Sequence, residues 1–205
     1  MIKAILTDLD GVLRHWNNKS LFAFEEAKGL EKGFLFSCAF KEQFVHPAIV
    51  GEVSHEQWLD NVVSELENVV PQKLAKQLIK QWKDSTSEID WRVVDEYQAA
   101  FPDVPIVLVS NATTRMDQDL KGTGLLEILS NKINSSEIGL AKPNPGFFNV
   151  TLNTIACLAE EVLFIDDQIE NIDAATQLGI HSFHFQGFDS HKNLESLKTF
   201  LARFS

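Results

Sequence analysis

Three short apolar segments, each ended by polar residues, are the clearest pattern along the chain. They are residues 2–6, 104–109 and 162–165. Apolar runs of this length are typical of strands that are buried on both faces of a parallel sheet. In such sheets the carboxyl ends of the strands form one edge, where ligands bind. The polar residues that follow the runs, Asp8, Ser110 and Asp166, are therefore expected at one edge of a sheet.

Helical patterns surround the second and third of these strands. Helices are expected near 113–121, 145–158, 169–178 and 192–200, and a last strand near 181–185. Pro145 suits the first turn of its helix, and Gly179 suits the end of the next one. This alternation predicts the α/β fold class, with a Rossmann-like parallel sheet flanked by helices.

Residues 15–103 have a different character, because only helical patterns occur there. Helices are expected near 18–28, 34–44, 54–67, 71–83 and 90–100. Ser54 and Gln57 have the spacing of a capping box, and no strand is predicted. The sequence thus predicts a core, 1–14 and 105–205, that is interrupted by a smaller all-helical domain, 15–104.

Composition narrows the classes of function. The 205 residues carry a formal net charge of −11, which disfavours a nucleic-acid partner because duplex binding depends on Lys and Arg. Hydrophobic residues make up 44%, yet no apolar run is long enough to span a membrane. With two cysteines in apolar settings and no start typical of a signal peptide, we expect a cytoplasmic protein, either a monomer or a homodimer.

Two carboxylates follow the first strand, in the segment DLDGVL (8–13). Asp8 and Asp10 are separated by one residue, so their side chains point to the same side if the strand geometry continues. An acidic turn is the alternative explanation of this motif taken alone, because Asp and Gly are common in turns.

Two later segments carry polar candidates as well. Ser110 and Asn111 could bind phosphate oxygens at a strand–helix junction, or they could cap the helix. Lys142 precedes Pro143, which favours an extended segment. Its ammonium could face an anion, or it could be a solvated surface lysine.

Asp166 and Asp167 are adjacent carboxylates directly after the third strand. Two like charges about 4 Å apart repel by about 4 kcal/mol at an effective dielectric constant of about 20. A bound divalent cation reverses that cost, and oxygen ligands without clustered His or Cys favour Mg²⁺ over zinc. The alternative is an acidic first turn of a helix, which the helix dipole favours.

Together and in this order, the four motifs resemble those of the haloacid dehalogenase superfamily. They are DLDGVL, a strand that ends in Ser110, the isolated Lys142, and the pair Asp166–Asp167. The helical segment after the first motif resembles the cap domain of that superfamily, and GEVSHEQW (51–58) is similar to cap sequences of its phosphatase-like members. One small departure is KPNP (142–145), where KPDP is more usual.

The resemblance implies a role for each motif residue. Asp8 would be the nucleophile that takes a phosphoryl group, and Asp10 would be the general acid and later the general base. Ser110, the amide of Asn111 and Lys142 would bind the phosphoryl group. All five residues would then belong to one catalytic and phosphate-binding site.

The resemblance also implies a Mg²⁺ cofactor, held by Asp8, the backbone carbonyl of Asp10, and Asp167. Asp166 would orient Lys142. Dehalogenating members of the superfamily lack the second acid and need no metal, so Asp10 favours phosphoryl transfer. We therefore expect a Mg²⁺-dependent phosphatase that acts on a small phosphorylated metabolite, for example a sugar phosphate. The alternatives are a phosphomutase with the same site and a catalytically silent binding protein on this scaffold.

Two further groups of residues bear on substrate binding. Arg14, His15 and Trp16 follow the nucleophile loop directly, and they could line a cleft under the cap or lie outside it. The phenylalanines between residues 22 and 44 are expected in the core of the cap rather than against a substrate.

Overall fold

A computed structural model describes residues 1–186 and 191–205. In chain order the strands are β1 Ala4–Thr7, β2 Arg14–Asn17, β3 Thr86–Ile89, β4 Ile106–Ser110, β5 Leu129–Asn134, β6 Val162–Asp166 and β7 His181–His184. The α-helices are α1 Lys19–Ala27, α2 Phe34–Ala39, α3 Glu42–Ile49, α4 His55–Glu67, α5 Gln72–Lys83, α6 Trp91–Ala100, α7 Met116–Leu120, α8 Ser135–Ile138, α9 Pro145–Thr154, α10 Ile169–Gln177 and α11 His191–Leu201. Within the described ranges, no helix is both long and apolar enough to cross a lipid bilayer.

Strand β1 lies at the centre of a five-stranded parallel sheet, whose order is β5-β4-β1-β6-β7. Ile5 of β1 is aligned with Ile106 of β4 and with Leu163 of β6. The next residue, Leu6, points to the opposite face, and each face is covered by its own apolar cluster. The predicted Rossmann-like parallel sheet flanked by helices is confirmed.

The edge strand β5 has no counterpart among the predicted strands. Its sequence, LSNKIN, mixes polar and apolar residues, and of its side chains only Ile133 and Asn134 are buried. Because β5 pairs with β4 on one side only, it lacks the continuous apolar run that marks a central strand.

Helices α1 to α5 pack around an apolar core of their own, separate from the two clusters on the sheet. Its buried members include Leu21, Leu35, Trp58, Val62, Leu66 and Leu78. The capping box at the start of α4 is present: Ser54 Oγ accepts from Gln57 N, and Gln57 Oε1 accepts from Ser54 N. The single helix expected near 34–44 is instead α2 and α3, because Lys41 has an extended backbone between them.

Two strands lie within the segment where none was predicted, and that prediction is wrong at these positions. Strands β2 and β3 form an antiparallel ribbon in which Arg14 pairs with Ile89 and Asn17 with Thr86. Their sequences, RHWN and TSEI, are short and largely polar, so they carry no apolar alternation. Pairing between distant segments satisfies their backbone hydrogen bonds. The ribbon connects the sheet to the helices α1 to α5.

Helix α6 packs with the sheet and not with the helical domain. Val93, Val94 and Tyr97 belong to the same buried cluster as Ile5 and Leu9. The packing therefore assigns α6 to the core, and the helical domain ends before β3 rather than at residue 104. A helical pattern marks an apolar face but not the surface that covers it, which is why the boundary differs.

Candidate active site

Asp8, Ser110 and Asp166 lie at the carboxyl ends of three neighbouring strands, β1, β4 and β6. The chain passes from β1 outward to β4 and β5 on one side, and then returns to β6 and β7 on the other. In open α/β sheets, such a reversal of strand order leaves a crevice in which ligands bind. The structure thus brings the three predicted strand-end residues to this crevice.

Lys142 precedes α9, and its ammonium is buried among carboxylates. Its Nζ lies 2.6 Å from Asp166 Oδ2 and 3.0 Å from Asp8 Oδ1, and it donates a hydrogen bond to the Val109 carbonyl at 2.8 Å. Burial acts to lower the pKa of Lys142, but the neighbouring carboxylates of Asp8 and Asp166 outweigh it and raise that pKa. With 4% of its surface exposed, Lys142 is a buried cation and not a surface lysine.

Asn111 fixes the backbone that carries this lysine. Asn111 Nδ2 donates to the Lys142 carbonyl at 2.7 Å, and Lys142 N donates to Asn111 Oδ1 at 2.8 Å. This reciprocal pair ties the loop after β4 to the segment before α9. The side chain of Asn111 is therefore occupied, and a contact with phosphate would come from its backbone amide.

The two adjacent carboxylates have different environments. Asp166 is fully buried; its Oδ1 accepts from Gln168 N at 2.8 Å and from Asn171 Nδ2 at 2.9 Å, while Oδ2 faces Lys142. Asp167 Oδ2 accepts from Gln168 Nε2 at 2.8 Å, and burial raises the pKa of Asp167. Both oxygens of Asp166 are engaged, one of them with Lys142, so Asp167 is the freer carboxylate.

Asp8 has an oxygen without a hydrogen bond. Asp8 Oδ1 is buried without a hydrogen-bond partner, so its 3.0 Å approach to Lys142 Nζ is an ion pair and not a directed hydrogen bond. Burial raises the pKa of Asp8 to about 7, with Lys142 acting in the opposite direction. A buried carboxylate oxygen in this state is suited to bind a cation.

The residues present fit a magnesium ion. Asp8, Asp166 and Asp167 each offer an oxygen, and the three atoms lie within 4.8 Å of one another. When these carboxylates are ionised, three negative charges face the one positive charge of Lys142, so a divalent cation would balance the site. An all-oxygen donor set is the type that Mg²⁺ prefers. Asp8 and Asp167, with the Asp10 carbonyl that the resemblance implies, are the residues that would hold it.

Gly11 permits the close approach of the loop after β1 to Asp167. Its φ is +87°, in the left-handed region that favours glycine. A Cβ at this position would lie 2.3 Å from Asp167 Oδ2. Only glycine therefore allows DLDGVL to pass beside this carboxylate.

Asp10 is held by the two residues that follow its loop. Arg14 donates to it through Nε at 2.7 Å and Nη2 at 2.8 Å, and Trp16 Nε1 donates to Asp10 Oδ1 at 2.8 Å. Arg14 and Trp16 both line the central cavity beside Asp8, whereas His15 is not among the described residues that line it. Of residues 14–16, which could line the cleft or lie outside it, Arg14 and Trp16 therefore lie in the cleft.

A cavity of about 890 Å³ extends from Asp8 and Lys142 to the helical domain formed by α1 to α5, which is called the cap below. Its lining includes Phe36, Phe40, Trp58 and Trp82. Phe36 packs against the cap core, as expected, and also lines the cavity, whereas Phe40 lines the cavity and is not part of that core. Tertiary packing, which sequence periodicity does not report, turns these side chains toward the cavity.

Sequence patterns did not single out several residues that support the site. Asn171 holds Asp166 from the first part of α10; its position shortly after the acidic pair was the available signal. Tyr97, whose hydroxyl lies 3.2 Å from Oγ1 of Thr7, the residue before Asp8, gives no local signal because it is distant in the chain.

His55 joins the cap to the core, although the sequence suggested only a helix start. Its Nδ1 lies 2.9 Å from Thr113 Oγ1, its Nε2 lies 3.3 Å from Arg115 Nη1, and its backbone N donates to Thr114 Oγ1 at 3.0 Å. Burial and the neighbouring guanidinium of Arg115 lower the pKa of His55. These contacts seat the start of α4 on the loop that follows Ser110.

A parallel sheet with clustered carboxylates at its switch point, and a helical insertion after the first strand, define an α/β core that carries a cap domain. Residues 2–179 match the sequence profile of the haloacid dehalogenase-like hydrolases, and the chain belongs to that family. It is 28% identical over 151 residues to "Haloacid dehalogenase-like hydrolase domain-containing protein 3" of Bos taurus. The match covers 67% of this chain and 58% of the bovine protein, so the chain spans less than two thirds of that relative.

Two solved structures show the same fold. One is a haloacid dehalogenase family enzyme of Bacteroides thetaiotaomicron in complex with magnesium and inorganic phosphate, with a TM-score of 0.72 and 19% identity, covering 95% of this chain and 99% of that one. The other is a 2-haloacid dehalogenase of Pseudomonas syringae, with a TM-score of 0.61, 18% identity and complete coverage of both chains. Since the second is named a dehalogenase and the first holds phosphate, the fold leaves the reaction to be argued from the site.

Proposed function

We propose that this hydrolase is a Mg²⁺-dependent phosphatase that cleaves a small phosphate monoester, with Asp8 as the nucleophile. The observation that carries the proposal is the buried Asp8, whose Oδ1 has no hydrogen-bond partner and lies 3.0 Å from the buried ammonium of Lys142. A second carboxylate, Asp10, lies two residues further along the same loop. The magnesium and phosphate bound to the similar Bacteroides enzyme support the same chemistry.

The first half of the reaction transfers the phosphoryl group to the protein. An Asp8 carboxylate oxygen attacks phosphorus, the bond from phosphorus to the leaving oxygen breaks, and Asp10 gives its proton to that oxygen. Lys142 faces Asp8 and balances negative charge on the transferred group. Ser110, which is buried at the end of β4, contributes a hydroxyl to the phosphoryl oxygens.

The second half releases inorganic phosphate. Asp10, now ionised, takes a proton from a water molecule that attacks phosphorus, and the bond between phosphorus and Asp8 breaks. Arg14 and Trp16 donate three hydrogen bonds to the Asp10 carboxylate, so its ionised form is well accommodated. The side chain of Asp10 is 46% exposed, so water and a leaving group can reach it.

Mg²⁺ held by Asp8, Asp167 and the Asp10 carbonyl would reduce the repulsion between the nucleophile and a phosphate dianion. Asp10 favours a phosphatase over a dehalogenase, since release of a halide needs no proton donor. A sugar phosphate, expected from the sequence, is one member of the phosphate monoester class.

The test is phosphate release from 4-nitrophenyl phosphate by the purified chain. Activity should require Mg²⁺, disappear in EDTA and return with added Mg²⁺. Asp8→Asn should abolish turnover with little change in volume, and Asp10→Asn should reduce it strongly. Undiminished activity without metal, or near-normal turnover by Asp8→Asn after deamidation is excluded, would overturn the proposal. Isomerisation of a sugar phosphate without phosphate release would instead identify a phosphomutase.

A further inference from the structure

We infer that the cap side of the cavity is a subsite for an apolar leaving group, and that Phe36, Phe40 and Trp82 recognise it. This inference rests on the proposed phosphatase function. The substrate class that it names is the phosphate monoester of an alcohol with an extended aliphatic or aromatic portion. It differs from the sugar phosphate that the sequence suggested.

One continuous aromatic wall of the cavity is formed by Phe36, Phe40, Trp58 and Trp82. Phe36 and Phe40 lie one helical turn apart, with ring centroids 5.8 Å from each other. Trp82 of α5 lies 5.8 Å from Phe36 and 6.2 Å from Phe40. Trp58 of α4 lies behind them, 5.9 Å from Phe40 and 5.4 Å from Trp82. Three different helices therefore present aromatic rings to the same space.

Packing within the cap buries only part of the surface of these four aromatic side chains. Trp58 is buried, with 4% of its surface exposed and its Nε1 donating to the Ala39 carbonyl. Phe40 is 52% exposed and does not belong to the apolar core of the cap. Phe36 and Trp82 are half-buried and pack against that core with part of their surface. Apolar surface thus remains open on the side that faces the cavity.

The open apolar surface lies in the same cavity as the nucleophile. Asp8 and Lys142 line one part of the 890 Å³ cavity, and Val45, Ile49 and Leu59 extend the apolar part around the aromatic rings. Concave apolar surface with a few convergent polar groups is the usual form of a small-molecule site. A phosphate ester bound at Asp8 would direct its leaving group into this space, because the phosphoryl end is held by the sheet edge.

Several polar groups near the aromatic wall already have hydrogen-bond partners. The ring nitrogens of His55 already face Thr113 and Arg115, and Ser85 Oγ donates to the Gln81 carbonyl. Asn18 Oδ1 is a buried acceptor without a hydrogen-bond partner, and Lys83 and Ser87 also line the cavity. Hydroxyl groups of a sugar that lie against the aromatic wall would lose their hydrogen bonds to water, whereas an apolar leaving group has none to lose.

The experiment compares kcat/KM for ethyl phosphate, n-hexyl phosphate, phenyl phosphate and glucose 6-phosphate, all with Mg²⁺. We expect n-hexyl phosphate to exceed ethyl phosphate at least ten-fold and to exceed glucose 6-phosphate by a similar factor, because burial of added methylene groups is favourable. Phenyl phosphate tests whether the wall also accepts an aromatic group. Equal kcat/KM for ethyl and n-hexyl phosphate, or a preference for glucose 6-phosphate, would overturn the inference.

Variants assign the effect to the aromatic wall. Phe40→Ala should reduce the ratio of kcat/KM for n-hexyl over ethyl phosphate at least five-fold, and Phe40→Leu, which keeps an apolar side chain, should retain most of it. Trp91→Ala is the matched control, since Trp91 is an exposed aromatic residue on α6 outside the cavity. If Phe40→Ala left the ratio unchanged, Phe40 would not contact the leaving group.

A binding measurement separates this inference from the proposed reaction. Asp8→Asn should bind n-hexyl phosphate with a saturable change in tryptophan fluorescence, which Trp82→Phe should diminish and which ethyl phosphate should not produce. Such binding without any phosphate release by the wild-type chain would contradict the phosphatase and keep the apolar subsite. Phosphate release without chain-length dependence would do the reverse.

Discussion

Arg14 holds Asp10 in a bidentate ion pair, with Nε 2.7 Å from Oδ1 and Nη2 2.8 Å from Oδ2. The side chain of Arg14 is 6% exposed and that of Asp10 is 46% exposed, so the buried partner positions the accessible one. Arg14 is itself fixed by strand β2, where it pairs with Ile89. In the proposed reaction Asp10 must reach the leaving oxygen, which makes Arg14 a positioning residue for the proton transfer.

Loss of this pair should impair the proton transfer more than binding. We expect Arg14→Gln to lower kcat on ethyl phosphate by about ten- to a hundred-fold, part of the ~10²–10⁴-fold that general acid–base catalysis contributes. The loss on 4-nitrophenyl phosphate should be smaller, because that leaving group needs little protonation. Arg92→Gln is the matched control: Arg92 makes the same two-bond pair with Asp90, with both contacts at 2.8 Å, away from the cavity. Equal losses on both substrates would contradict the positioning role.

Removal of the buried ammonium should destabilise the protein as well as inactivate it. Lys142→Met leaves Asp8 and Asp166 without their cationic partner, and breaking a buried pair in this way costs about 3–5 kcal/mol. Urea unfolding in EDTA near pH 8 would measure the loss, and phosphate release would report the inactivation. Lys41→Met, at the surface pair with Glu65, should change stability far less. If Lys142→Met were as stable as the wild type, the ion pairs of Lys142 with Asp8 and Asp166 would not stabilise the folded protein.

The buried carboxylate of Asp8 should make the metal-free protein less stable as pH rises. Burial raises the pKa of Asp8 from 3.8 to about 7, so the folded chain binds an extra proton between these values. The loss of folding stability caused by the buried negative charge of Asp8 is therefore absent below about pH 4 and complete above about pH 7. Asp8→Asn carries no such charge, so in EDTA at pH 8 it should be more stable than wild type by a few kcal/mol, since one pKa unit corresponds to about 1.4 kcal/mol.

Thermal or urea unfolding of both proteins at pH 4.5 and pH 8 would measure this difference. The two stabilities should converge at the lower pH, where Asp8 is largely protonated in the folded chain. Mg²⁺ at pH 8 should stabilise wild type more than Asp8→Asn, because binding to the folded state adds stability by mass action. A difference that is the same at both pH values would point to packing and not to the charge.

Gly11 should be essential for the metal site. Gly11→Ala combines a left-handed backbone with a Cβ only 2.3 Å from Asp167 Oδ2, so the carboxylate must move. We expect the Mg²⁺ concentration for half-maximal activity to rise at least ten-fold. Gly29→Ala is the control, because its φ is +71° and nothing lies within 4 Å of the added Cβ. It should show the backbone cost of about 1–2 kcal/mol and an unchanged Mg²⁺ requirement.

Much of the core could be predicted because its signals are local. Asp8, Ser110 and Asp166 follow apolar runs, and parallel strands must bring their carboxyl ends to one edge. Ser54 and Gln57 lie three residues apart, so their capping box is visible in the sequence and present in the structure. In each case, neighbouring residues contain both partners or the complete pattern.

The remaining features depend on contacts between distant segments. The ribbon of β2 and β3 pairs Asn17 with Thr86 through backbone groups, which carry no residue-specific signal. The helical pattern of α6 marks an apolar face, but only folding places Tyr97 against the sheet.

The sequence by itself indicated the hydrolase family, because the motifs around Asp8, Ser110, Lys142 and the pair at 166–167 occur in the order typical of that family. The tertiary structure decided how the charges of these motifs are paired and what surrounds them. The hydrogen bonds of Asp166 and the aromatic wall around Phe40 join residues from separate elements. Such side-chain contacts depend on distance in space, and apolar periodicity cannot distinguish a ring in the cap core from a ring that lines the cavity.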